Sequence, residues 1–156
     1  MELMQEKVAI IDVDGTLADT THRQHFVRYN PKNFDAFYAA MQYDPVIEKT
    51  AQTVRDMYAN DWTIIIATGR ENKTVTDRTN LDVTIDWLEQ NDIPFDEIFI
   101  REYNDHRPDH VVKRDILEKV RAKHGEPLIV FDDRQQVVDF WRSEGMVVHQ
   151  VNEHDF

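Results

Sequence analysis

Cysteine is absent from the chain, which excludes disulfides, thiolate catalysis and zinc sites built on thiolates. Glycine is scarce, with four residues at positions 15, 69, 125 and 145. Neither Gly-x-x-x-x-Gly-Lys nor Gly-x-Gly-x-x-Gly occurs, so a P-loop and a dinucleotide fingerprint are excluded, and no P-loop kinase domain is expected in this chain. No apolar run approaches the roughly 20 residues needed to cross a bilayer. Residues 1–7 lack the basic segment and apolar core of a secretion signal, so a cytoplasmic protein without membrane contact is expected. Basic residues are also short, 18 against 30 acidic ones, for a net charge of −12. That deficit argues against a long nucleic-acid footprint, which rests on many Lys/Arg–phosphate contacts. A local basic pocket gripping one terminal phosphate remains compatible with it.

What is present fits one soluble globular domain. The chain has 156 residues, 41% hydrophobic and 31% charged, enough for a real core and too apolar for wholesale disorder. Strand and helix patterns alternate through residues 1–156 without linker, repeat or low-complexity segment. Val8-Ala9-Ile10-Ile11, Trp62-Thr63-Ile64-Ile65-Ile66-Ala67, Glu97-Ile98-Phe99-Ile100, Leu128-Ile129-Val130-Phe131 and Met146-Val147-Val148-His149 read as five strands, and the runs are apolar as in a sheet buried on both faces. Helical spacing marks 46–60, a helix carrying Leu81, Ile85 and Leu88, 111–123, and a helix carrying Val137, Val138 and Trp141. Strands joined by helical crossovers imply a parallel sheet in three α/β/α layers, a Rossmann-like fold. Residues from about 20 to 45, punctuated by Pro31 and Pro45, read as two short helices forming a small insert beside the site.

In such a sheet the carboxyl ends of the strands form the ligand-binding edge. The first strand ends in Asp12 and Asp14, the second turns at Thr68-Gly69-Arg70, and the fourth runs into Asp132-Asp133. Lys113 lies near the start of the helix preceding strand four. Acids of this kind can hold a hard cation such as Mg²⁺. A lysine, an arginine and a hydroxyl can bind phosphoryl oxygens. An aspartate can attack phosphorus and form an acyl phosphate, while a second carboxyl exchanges protons with leaving group and water.

This set resembles the haloacid dehalogenase superfamily of phosphotransferases. Its four motifs stand here as Asp12-Val13-Asp14-Gly15-Thr16, Thr68, Lys113 and Asp132-Asp133, in the family's order and over nearly the whole chain. The resemblance implies Asp12 as nucleophile and metal ligand, and Asp14 as general acid/base whose backbone carbonyl also meets the metal. It implies Thr68 and Lys113 as phosphoryl partners, Lys113 also orienting Asp12, and Asp132 as completing the Mg²⁺ site, with Asp133 either a direct ligand or one step behind the ligands. The runs Thr68-Gly69-Arg70-Glu71, Asp109-His110-Val111-Val112-Lys113, 132–142 and Asp155-Phe156 resemble the phosphatase domain of phage-type polynucleotide kinase/3′-phosphatases. That likeness adds Arg23, Arg70 and Asp109 as supporting residues, with Thr16 and Gly69 at the substrate. It implies a 3′-phosphatase acting on DNA or RNA ends or on nucleoside 3′-monophosphates. The missing kinase half keeps a nucleotidase or small-molecule phosphatase open, and oligomeric state is open too. A silent binding protein on the same fold predicts a broken motif, and every motif position is filled.

Other residues read as structural. The Phe34/Phe37/Tyr38/Met41 stripe has the spacing of core, with base stacking as the alternative. Trp62, Trp87 and Trp141 read as packing residues. His106 and His110 have zinc-pair spacing, but Pro108 between them opposes a shared helical face.

Overall fold

The computed structural model describes residues 6–154. Five strands form one parallel sheet: β1 (Val8–Ile11), β2 (Thr63–Glu71), β3 (Glu97–Arg101), β4 (Ile129–Arg134) and β5 (Val148–His154). Their spatial order is β3-β2-β1-β4-β5. The chain builds outward from β1 on one side, then crosses to β4 on the other. The crevice between β1 and β4 is therefore the switch point, where ligands of open α/β sheets bind.

Alternation along the strands sends Val8, Ile10, Ile65, Ala67 and Val130 to one face. There they meet Val112, Ile116, Leu117 and Val120 of α5 (Asp109–His124), and Val137, Phe140 and Trp141 of α6 (Gln135–Ser143). Ala9, Ile11, Ile64, Ile66 and Phe131 face the other side, against Ala51 and Val54 of α3 (Glu48–Ala59) and Trp87 and Leu88 of α4 (Asn80–Gln90). Two apolar layers on one central sheet give the expected three-layer α/β/α arrangement. Among the described residues no helix is long and apolar enough to cross a membrane.

Three local expectations are corrected. Thr68-Gly69-Arg70 is not a turn: β2 runs through it to Glu71, with a register shift against β3 between Thr68 and Glu71. Gly69 serves a close approach there, since a Cβ would lie 2.1 Å from Asp109 Oδ1. The last strand begins at Val148, two residues later than the apolar run suggests, and extends to His154. The third lies in the insert, which does contain the two short helices expected of it, α1 (His25–Arg28) and α2 (Phe34–Ala39), flanked by 3-10 turns at Thr21–Arg23 and Met41–Tyr43. Its aromatic stripe divides: Tyr38 and Met41 are buried, whereas Phe34 is 47% exposed. Trp87 and Trp141 are core as expected, and Trp62 packs against it half-buried. Asp155-Phe156 lies outside the described residues.

β2, which pairs with the central strand β1, is buried along its apolar run. Ile65 is wholly buried in the layer under α5 and α6. Ile65→Ala should lower the unfolding free energy by about 2–5 kcal/mol through lost transfer and a residual cavity, read as an earlier urea midpoint with an unchanged slope.

Candidate active site

β1 and β4 pair with Ile11 beside Phe131, so the next residues on each strand, Asp12 and Asp132, emerge side by side at the crevice. With Asp133 they form a buried group whose nearest carboxylate oxygens all lie within 4.8 Å of one another. Gly15 permits this closeness. It turns at φ +80°, and a Cβ there would stand 2.0 Å from Asp133 Oδ2. Lys113 reaches in from the second turn of α5, its Nζ donating to Asp12 Oδ1 at 2.9 Å and Asp132 Oδ2 at 3.3 Å. The Thr16 hydroxyl lies 3.2 Å from Asp12 Oδ2 and 3.3 Å from Asp133 Oδ1. Burial, with Asp132 and Asp133 adding repulsion against the pull of Lys113, pushes the Asp12 carboxyl well above its usual range. Burial alone would pull the Lys113 ammonium down, but Asp12, Asp132 and Asp109 outweigh it and hold its pKa up.

Asp14 belongs to a different set. The chain leaves β1 through a turn in which Leu17 and Ala18 both donate to the Val13 carbonyl. The Asp14 carboxylate is thereby delivered to two guanidiniums: Arg23 Nη2 donates to its Oδ1 at 2.9 Å, and Arg70 donates from Nη2 at 2.6 Å and Nε at 3.0 Å. Burial pushes this carboxyl up, yet the two arginines prevail and lower it to about 2. The side chain of Asp14 thus stands apart from the three-carboxylate group.

The remaining motif residues sit along β2 and the start of α5. Thr68 is buried, and its Oγ1 accepts from the Arg70 amide at 3.1 Å. Asp109 lies against Gly69 and accepts from Arg101 Nη2 at 2.8 Å, with Arg134 Nη1 at 3.5 Å. Above this floor opens a cleft of ≈ 600 Å³. Asp12, Asp14, Asp132 and Asp133 lie at its base, the insert forms one wall, and the loop between β3 and α5 forms the other. All of Asp12, Asp14, Thr16, Arg23, Thr68, Gly69, Arg70, Asp109, Lys113, Asp132 and Asp133 therefore converge on one edge. His106 and His110 do not join them: among the described residues, the three aspartates are the group that could hold a metal ion.

Comparison with known proteins now decides the family. The model of the polynucleotide kinase PNKP phosphatase domain matches residues 6–156. The chain belongs to this family. Two solved relatives, one in the Pnkp1/Rnl/Hen1 complex and one in the Pnkp1/Rnl/Hen1 RNA repair complex, are each 27% identical, with TM-scores of 0.78 and 0.80. Each alignment covers 97% of this chain but 47% and 44% of theirs, so the chain spans about half the length of those relatives. A hydrolase from Streptococcus pneumoniae TIGR4 shares the fold at 15% identity and a TM-score of 0.61, over 96% of this chain and 95% of its own. L-2-haloacid dehalogenase from Xanthobacter autotrophicus does so at 11% and 0.56, over 92% and 76%.

This PNKP-type phosphatase domain also uses residues that the motifs did not single out. Asp44, at the end of the insert, is buried and accepts from Arg23 Nε and Nη2, each at 2.8 Å, and from Arg70 Nη2 at 3.3 Å. His22 Nε2 stands 2.6 Å from its Oδ1. Its backbone carbonyl accepts from Trp87 Nε1 at 2.9 Å. Thr84 on α4 accepts from Arg70 Nη1 at 2.9 Å. Trp141 reads as packing, yet its Nε1 also donates to Asp132 Oδ2 at 3.1 Å. None of these partners follows a local spacing, because each bridges separate elements. Asp44→Asn should cost about 3–5 kcal/mol by leaving buried arginine charge uncompensated, seen as a lower urea midpoint. Gly69→Ala should displace Asp109, and a crystal structure of that variant would show the Arg101–Asp109 pair opened.

Proposed function

We propose that this chain is a Mg²⁺-dependent phosphomonoesterase that works through an aspartyl phosphate and removes 3′-phosphates from nucleic-acid ends. The carrying observation is the pairing of two unlike carboxylates at the strand edge, Asp12 held by Lys113 and Asp14 held by Arg23 and Arg70. One is suited to attack and the other to move protons. Membership in the PNKP phosphatase family supports the reading, as does the occurrence of its relatives in an RNA repair complex. Residues 1–156 would act as one catalytic unit.

The residues present fit a hard divalent cation. Asp12, Asp132 and Asp133 offer only oxygen donors, and their mutual repulsion is the kind that a cation removes. Asp12, Asp132 and Asp133, with the Asp14 backbone carbonyl, would hold the ion. Bound there, it would neutralise phosphoryl charge and keep Asp12 ionised.

In the first step an Asp12 oxygen bonds to phosphorus and the bond to the 3′-oxygen breaks. Lys113 keeps Asp12 oriented and offsets charge on the transferring group, and Thr68 meets a phosphoryl oxygen. The leaving oxygen takes a proton from Asp14. A phosphoryl group entering beside Asp14 brings negative charge against the two guanidiniums, which lets this carboxyl carry that proton. In the second step Asp14 takes a proton from water, whose oxygen bonds to phosphorus as the Asp12–phosphorus link breaks. Inorganic phosphate leaves and Asp12 is restored.

Phosphate release should be faster from 3′-phosphorylated oligonucleotides than from 5′-phosphorylated ones, and equal or faster 5′ rates would refute the substrate assignment. Asp12→Asn should reduce turnover by roughly 10⁴-fold or more while circular dichroism stays unchanged. Chelation should abolish turnover. Mg²⁺ should raise the melting temperature of the wild type and not of Asp132→Asn.

A further inference from the structure

Seven lysines and arginines line the cleft, and five of them are spent on nearby aspartates. Arg70 pairs with Asp14 and Asp44, Lys73 with Asp35, Arg101 and Arg134 with Asp109, and Arg107 with Asp105 and Asp115. Arg28 and Lys32, both exposed, have no carboxylate partner among the described residues. In a chain of net charge −12, two unneutralised cations at the mouth of one cleft mark where a polyanion is tolerated.

Beside them stands an aromatic ledge. Phe34, Phe37 and Tyr38 line the same wall of the cleft. Phe34 meets Phe37 edge-on, with centroids 6.4 Å apart at 89°, and is tilted 36° to Tyr38 at 6.2 Å. The ledge is fixed from behind. The Arg23 guanidinium lies 4.2 Å from the Phe37 centroid, the Tyr38 hydroxyl accepts from the Glu71 amide at 3.3 Å, and Lys73 pairs with Asp35 at 2.6 Å. The half-exposed Phe34 ring is thus held at a polar cleft at little further ordering cost. An aromatic face is what a base stacks on, regardless of which base it is.

Resting on the 3′-phosphatase reading above, we infer that this wall is a strand-end subsite: the ledge seats the base of the terminal nucleotide, and Arg28 and Lys32 hold the phosphodiester next along the strand. The substrate class is then a strand end of at least two nucleotides, in preference to a free mononucleotide.

The test compares kcat/KM for three probes: a 3′-phosphorylated dithymidylate, thymidine 3′-monophosphate, and the dinucleotide with its terminal base removed. The wild type should favour the dinucleotide over the mononucleotide by about tenfold. Phe34→Ala should lower kcat/KM on the dinucleotide about tenfold more than on its abasic counterpart, mainly through KM, as loss of one stacked base predicts. Phe34→Trp should restore the difference and Phe34→Leu should not. Arg28→Gln with Lys32→Gln should bring dinucleotide and mononucleotide to within about twofold and flatten the salt dependence of the former. An equal Phe34→Ala penalty on the intact and abasic probes, or a dinucleotide preference that survives loss of both cations, would overturn the subsite. Failure of the wild type on all three probes alongside turnover of 5′-phosphates would instead overturn the underlying 3′-phosphatase reading.

Discussion

The ammonium of Lys113 is the constraint on which the strand edge depends. Three carboxylates crowd within a few ångströms at the ends of two adjacent strands, and burial denies them water. Without a buried positive charge among them, like charges in a low-dielectric crevice would destabilise the sheet there. Lys113 touches Asp12 and Asp132 together, which ties the N-terminal half of α5 to both strands. The price is a site whose stability and chemistry share the same atoms.

A second electrostatic knot, formed by Asp14, Arg23, Arg70 and Asp44, sets the other half of the site. Two arginines and two aspartates alternate in a nearly closed ring, three of the four with side chains fully withdrawn from solvent. Buried guanidiniums need most of their donors satisfied, and Asp44, Thr84 and the Phe37 carbonyl supply acceptors that Asp14 alone cannot. The ring explains how two acids separated by one residue come to differ so strongly. Burial pushes both carboxyls up; beside Asp12 the carboxylates of Asp132 and Asp133 add to it, whereas beside Asp14 the guanidiniums of Arg70 and Arg23 outweigh it.

Much of this was legible from residues 8–16, 68–70, 109–113 and 132–134, because strand ends in a parallel sheet meet at one edge by topology alone. The short apolar runs named the strands, and the acids following them named the edge. What stayed hidden depends on long-range contact. Asp44 lies 30 residues from Asp14 in an irregular insert, so no periodicity points to it. Trp141 shows helical core spacing, and nothing local reveals that its indole N–H serves Asp132. The continuation of β2 through Gly69 was obscured because glycine ordinarily signals a turn. Here it answers instead to the proximity of Asp109. The aromatic stripe was divisible only in three dimensions, since one helical face of α2 turns from core to cleft within four residues.

The insert also bears on how such a domain can change over evolution. A cap that merely roofs a site can be exchanged to suit a new substrate while the chemistry below is kept. This one cannot be lifted away so freely, because it contributes Arg23 and Asp44 to the ring around Asp14. Replacing it wholesale would leave Asp14 without Arg23 and Arg70 without Asp44. A point change on the cleft wall of the insert, at Phe34 for example, leaves the ring intact while altering what the cleft can receive.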